Sequence, residues 1–165
     1  METLAINPRR GAATLRTHMR PALTGAHRER LLSPVVAALA GIAILMADDD
    51  VDTLEVLGDL VAHEGAAVRT AGSGQEALEV LRTWKPDVLL LDVSMPDMDG
   101  CELLTLIHRQ PALHDVLAVA VTGYDDARDR DRCVVAGFAG HVTKPFDVDS
   151  LIQLVATLVP RPGAA

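Results

Sequence analysis

Apolar residues along this chain follow two alternating patterns: short solid runs, and stretches where they recur every three or four positions. The run Val88–Leu91 lies between Pro86 and Asp92. A solid apolar run bounded by turn signals is how a strand buried on both faces looks. Gly41–Ala47 (GIAILMA) has the same character and runs into Asp48, Asp49 and Asp50. Ala67–Ala71, Val116–Val121 and Phe138–Thr143 bring the predicted strands to five.

Helical spacing fills the gaps. Over Thr53–His63, residues Leu54, Leu57, Leu60 and Val61 share one face, with Asp52 as the predicted N-cap and Gly65 as the stop. A capping box at Ser73 and Glu76 opens a helix to Trp84 whose inner face is Ala77, Leu78 and Leu81. Gly100–Arg109 carries Leu103, Leu104, Leu106 and Ile107 and stops before Pro111. Asp125–Ala136 reads as a charged helix. The last helix, capped by Asp147 or Asp149, runs to about Val159 with Leu151, Ile152, Val155 and Leu158 inward. Strict strand–helix alternation predicts an α/β fold of three layers, a parallel sheet covered on both faces and joined by right-handed crossovers.

Composition narrows this picture. A chain of 165 residues fits one domain with a tail, and with only four aromatic residues (Trp84, Tyr124, Phe138, Phe146) its core must be aliphatic. The net charge of −8 argues against general nucleic-acid binding. That charge is uneven. Residues 1–40 set six arginines against Glu2 and Glu29, whereas residues 41–165 set nine Lys/Arg against 21 Asp/Glu. The reading is a basic, poorly ordered extension over 1–40, a globular domain over 41–160 and a tail over 161–165. Cys101 and Cys133 have no metal-type spacing and read as free thiols. Val35–Ala47 is apolar but too short for a span of ~18–20 residues, so a cytoplasmic chain is expected.

The chemistry is predicted at the carboxyl ends of the strands, where open parallel sheets bind ligands. The first strand delivers Asp48 and Asp49, the third Asp92, the fourth Thr122 and the fifth Lys144. Each alone has an ordinary reading, Asp92 as a helix cap among them. Together they place three carboxylates, a hydroxyl and an ammonium on one rim. Clustered carboxylates repel unless a cation sits among them, and hard oxygen donors suit Mg²⁺. A metal and a lysine would neutralise an incoming phosphoryl group, and a carboxylate can accept one covalently.

The segments ILMADDD, LLLDVSMPDMDG, AVTGY and GHVTKPF are similar to those of the receiver domain of bacterial two-component response regulators, and the resemblance covers residues 42–159. It implies a flavodoxin-like, doubly wound, five-stranded sheet of order 2-1-3-4-5. It implies that Asp92 accepts a phosphoryl group from a histidine kinase. Asp48, Asp49, Asp92 and the backbone carbonyl of Ser94 would hold Mg²⁺. Thr122 would move toward the phosphoryl group, Lys144 would pair with it, and the Lys144–Pro145 bond would be cis. Such a protein is no enzyme beyond its own Mg²⁺-dependent phosphorylation and autodephosphorylation. Ser94 and Tyr124 occupy positions that flank the phosphoryl group and modulate its hydrolysis. His141 stands where the family often has Tyr or Phe, whose ring swings inward on activation, so Thr122 and His141 are the expected switch. The face over 125–159 is where the family binds partners, which singles out Arg128, Arg130 and Arg132. No fused output domain is expected, so output would pass to an effector protein. The wording of AVTGY and GHVTKPF is similar to receivers attached to hybrid histidine kinases.

Three rival readings share residues with this one. A haloacid-dehalogenase-type phosphatase would use Asp48 and Asp50, but Asp52 stands where that motif wants Thr or Val, and the chain has no room for a cap domain. A calcium loop over Asp48, Asp50 and Asp52 lacks the glycine at its sixth position, which is Thr53, and the glutamate at its twelfth, which is Asp59. A partner-binding pseudo-receiver would not need the intact Asp48, Asp49, Asp92, Thr122 and Lys144.

Overall fold

A computed structural model describes residues 37–123 and 127–159. Five strands and five helices alternate without exception: β1 Ala43–Ala47, α1 Val51–His63, β2 Ala67–Ala71, α2 Gly74–Leu81, β3 Val88–Asp92, α3 Gly100–His108, β4 Leu117–Thr122, α4 Ala127–Ala136, β5 Gly140–Thr143 and α5 Val148–Leu158. All strand pairs are parallel, as the strand–helix alternation predicts, and the order is β2-β1-β3-β4-β5, as the receiver resemblance implies.

Period-two alternation along the strands divides the core. Ile44, Met46, Val88, Leu90, Val119 and Val121 point to one face, where Leu54, Leu57 and Val61 of α1 and Leu151, Ile152 and Val155 of α5 cover them. Leu45, Ala47, Leu89, Leu91 and Ala118 point to the other, under Ala77 and Leu81 of α2 and Leu103, Leu104 and Ile107 of α3. A small third cluster of Val93, Ala120, Cys101 and Cys133 seats α4 on this second face. The central strand β3 is buried at every residue, which its unbroken apolar run requires. Leu39, assigned by its sequence to the extension, is fully buried, and its N–H donates to the Glu64 carbonyl.

Several local expectations shift. Asp50, not Asp52, caps α1, accepting from the Asp52 N–H at 3.1 Å and the Thr53 hydroxyl at 2.8 Å. Ser73 caps α2 as expected, but Glu76 turns to the Gly72 N–H at 2.7 Å, so the box is only half formed. The complete capping box is at Asp99 and Glu102, at the start of α3. Asp147 caps α5. Leu60 and Leu158 are only partly buried. Lys144–Pro145 is cis.

Candidate functional site

Strand register builds the site as a staircase. Ala47 pairs with Leu91, so Asp48 and Asp92 leave their strands at the same level. Asp92 in turn pairs with Val121, putting Thr122 one step further out. Thr122 pairs with Thr143, and Lys144 follows. The Lys144 N–H donates to the Thr122 carbonyl at 2.6 Å, extending the β4–β5 pairing to the rim.

Asp48 and Asp92 are buried carboxylates, and Thr122 is buried beside them; Asp49 is exposed. Oxygens of Asp48, Asp49 and Asp92 all lie within 4.8 Å of one another. Lys144 Nζ donates to Asp48 at 2.6 Å, and the other Asp48 oxygen accepts the Asp50 N–H at 2.9 Å. Burial pushes the Asp92 carboxyl above its ordinary value; Lys144 pulls it back, Asp48 and Asp49 push it up further, and a hydrogen bond from the Ser94 N–H lowers it. The cluster therefore holds more negative charge than its lysine offsets. Three hard oxygen donors facing one point fit a small divalent cation such as Mg²⁺.

Asp92 caps no helix. Asp99 takes that role, which leaves the Asp92 side chain to the rim. The loop between them closes tightly: the Gly100 N–H returns to the Val93 carbonyl at 3.1 Å, and a Cβ on Gly100 would stand 2.5 Å from the Asp92 carbonyl oxygen. No side chain fits there.

The haloacid-dehalogenase pairing fails on the same geometry. Asp50 is exposed; the Thr53 hydroxyl, which donates to it at 2.8 Å, holds its carboxyl below its ordinary value, and that group caps α1.

Among the flanking residues, Ser94 is exposed, and its backbone reaches Asp92. His141 is exposed and pairs with Ala120 in register, rather than half-buried as a strand histidine of its type would be. Tyr124 and Asp125 lie outside the described residues, as do residues 1–36 and the tail beyond Val159. Arg132 pairs with Asp99, tying α4 to the cap of α3. Nothing in the sequence pattern signals that contact. Another contact legible only in three dimensions is Asp97, whose carboxylate accepts the Gly74 and Gln75 N–H groups at 3.3 and 3.1 Å. No helix of the described residues is long and apolar enough to cross a membrane.

Residues 44–156 match the response regulator receiver domain family. An uncharacterised 14.6 kDa protein of Leptolyngbya boryana is 40% identical over 117 residues, covering 71% of this chain and 89% of that one. The signal transduction histidine-protein kinase BarA of Escherichia coli is 29% identical over 150 residues, 89% of this chain but only 16% of the kinase. The probable transcriptional regulatory protein TcrX of Mycobacterium tuberculosis is 32% identical over 123 residues, 74% of this chain and about half (51%) of the regulator. Among solved structures, the chemotaxis protein CheY4 of Vibrio cholerae aligns with a TM-score of 0.69 at 25% identity, covering 73% of this chain and 100% of that one. A CheY-like receiver domain protein of Methanospirillum hungatei aligns at 0.66 and 27%, covering 70% and 91%.

Proposed function

The chain belongs to the response regulator receiver domain family, and from that premise we propose that it is a phosphoacceptor in a two-component phosphorelay. A histidine kinase is the donor and Asp92 the acceptor. The observation that carries this reading is the convergence of Asp48, Asp49 and Asp92 within 4.8 Å, with Lys144 bonded into the same cluster.

In this reading a carboxylate oxygen of Asp92 attacks the phosphorus of a phosphohistidine. The P–N bond breaks as the O–P bond of an acyl phosphate forms, and the departing imidazole takes a proton from solvent. Asp48, Asp49, Asp92 and the Ser94 carbonyl would hold Mg²⁺, which when bound neutralises charge on the transferring group. Asp92, raised by its burial, is the group whose ionised form must be favoured for attack. Lys144 is already held at the rim by Asp48 and supplies a compact positive charge to a phosphoryl oxygen. The Thr122 hydroxyl, one register step from Asp92, donates to another. Ser94 and Tyr124 set water access to the acyl phosphate, which returns Asp92 to its resting state by hydrolysis.

Thr122 and His141 carry the switch in this reading, His141 from its exposed position on β5. The effector binds the face made by α4, β5 and α5, with Arg128, Arg130 and Arg132 on α4. The protein works in the cytoplasm, without direct contact to nucleic acid.

The test is to incubate the protein with Mg²⁺ and acetyl phosphate and map the label by mass spectrometry. A single acyl phosphate on Asp92, absent in Asp92→Asn and absent with EDTA, is expected. A label on Asp48 with rapid turnover of a phosphate ester would overturn the reading. Absence of both label and Mg²⁺ binding would leave a partner-binding module.

A further inference from the structure

Residues 93–99, the loop that leaves Asp92, are clamped at three places. The Gly100 N–H closes the loop on the Val93 carbonyl, and Asp99 opens α3 with its capping box. The third clamp is the least expected. Asp97 reaches to another helix and accepts the Gly74 and Gln75 N–H groups, one with each oxygen, at 3.3 and 3.1 Å. These are donors of the first turn of α2, which have no partners within their own helix. Ser73, the N-cap of α2, satisfies the Glu76 N–H instead, so Asp97 supplies from a distance what that helix lacks. The contact is close-packed: a Cβ on Gly74 would stand 3.0 Å from Met98 Cβ and 3.5 Å from the Asp97 carboxylate. Met95 and Met98 pack into the same core layer as Ala77 and Leu81 of α2. Loop and helix terminus therefore form one block.

That block bears on Asp92 from two directions. The Ser94 N–H bonds its carboxylate, and the Gly100 backbone lies so close to its carbonyl that no Cβ fits between them. We infer that Asp97 is a positioning residue, which holds the loop after Asp92 against α2 and so fixes the orientation of the Asp92 carboxylate for a divalent cation. This rests on the Mg²⁺-dependent phosphoacceptor reading. Asp97 itself points at α2 and contributes no oxygen to the carboxylate cluster.

The decisive measurement is Mg²⁺ affinity by titration calorimetry, with Mg²⁺ alone as the probe, on the full chain and three variants. Asp97→Ala should bind Mg²⁺ about tenfold more weakly, the scale of losing a partner that orients a ligand. Asp97→Asn keeps one neutral acceptor and should recover most of this, within about threefold of wild type. Ser73→Ala removes a cap from the same helix without touching the loop, and should lower the melting temperature while leaving Mg²⁺ affinity unchanged. Equal affinity in Asp97→Ala and wild type overturns the inference and leaves the phosphoacceptor reading intact. Equal weakening in Ser73→Ala also overturns it, because general loosening of α2 would then be the cause. If wild type itself binds no Mg²⁺, the phosphoacceptor reading fails and takes this inference with it. Should Asp97→Ala lose its native circular dichroism, Asp97→Asn decides: a loss of Mg²⁺ affinity of about twofold to threefold with Ser73→Ala unchanged supports the inference, and affinity equal to wild type overturns it.

Discussion

Replacing Gly100 by alanine adds one methyl group to the protein and puts it where no atom can go. The new Cβ would lie 2.5 Å from the Asp92 carbonyl oxygen, 3.1 Å from its carbonyl carbon and 3.1 Å from Val93 Cα. All three are backbone atoms, so no rotamer change relieves the clash. Reaching ordinary contact near 3.4 Å means parting the two backbones by about 0.9 Å. Gly100 has no positive φ, so the cost is steric and owes nothing to backbone strain. Overpacking of this kind costs ~1–3 kcal/mol. Alanine returns part of the ~1 kcal/mol by which glycine is the poorer helix former, though less at the first position than mid-helix. The net is a loss of about 1–2 kcal/mol, or roughly 4–8 °C in melting temperature for a domain of this size. The move also shifts the end of β3, and a misplacement of ~1 Å at a reacting group can cost ~100-fold in rate. Thermal melts and acetyl phosphate labelling, run on the same preparation, measure both. A variant that melts within about 1 °C of wild type, instead of several degrees lower, and labels at the same rate would show that the loop yields freely and would refute the expected clash.

Further outcomes follow from the same geometry. Saturating Mg²⁺ should raise the melting temperature, by the equivalent of ~2.7 kcal/mol at a hundred times its dissociation constant; EDTA should reverse the gain and Asp49→Asn should shrink it, whereas a melting point blind to Mg²⁺ would count against the carboxylate cluster as its site. Lys144→Met strips the buried Asp48 of its cation. Breaking a fully buried pair costs ~3–5 kcal/mol, but Lys144 is partly exposed, so a loss of about 2 kcal/mol in urea unfolding is expected, and an unchanged midpoint would refute it. Burial, then the adjacent Cys133 thiol and Asp99, push the Cys101 thiol from 9.0 to about 12 against the pull of Arg132. Ellman's reagent at pH 8 should therefore find both cysteines unreactive until urea is added. The folded chain keeps a proton that the unfolded chain loses near pH 9, so this group leaves stability untouched below pH 9 and lowers it as pH rises toward 12, by up to ~1.4 kcal/mol per pH unit. A urea midpoint flat through that range would contradict it.

Much of this was legible in the order of residues because the signals were local. β1 and β3 are solid apolar runs in the sheet centre, so their ends, and with them Asp48, Asp49 and Asp92, could be placed to within a residue. The two edge strands differ: β2 spans Ala67–Ala71 as expected, whereas the last strand was harder. β5 begins at Gly140, two residues later than its apolar run, because Ala139 already spends its N–H on the Ala118 carbonyl outside the ladder. Caps were ambiguous wherever acids cluster: three aspartates precede Val51, and only the backbone decides that Asp50 has the reach to cap α1. Asp97 and Arg132 could not be found at all, since each acts across 20 residues or more on a partner that no periodicity indicates. The exposure of His141 was likewise invisible, because one polar residue among apolar neighbours fits an edge strand on either face.

The bond between Lys144 and Asp48 spans 96 residues of chain. During synthesis from the amino end, the carboxylates of β1 and β3 emerge long before the lysine that offsets them. A ribosome-bound chain ending before β5 holds every acidic residue of the cluster and no Lys144, so burying Asp48 and Asp92 in it is electrostatically opposed. Closing the rim is thus among the last events the chain can complete, as the high sequence separation of the contact also implies. Incomplete chains lack the lysine of the rim, and the arrival of the final βα unit is what brings it to Asp48.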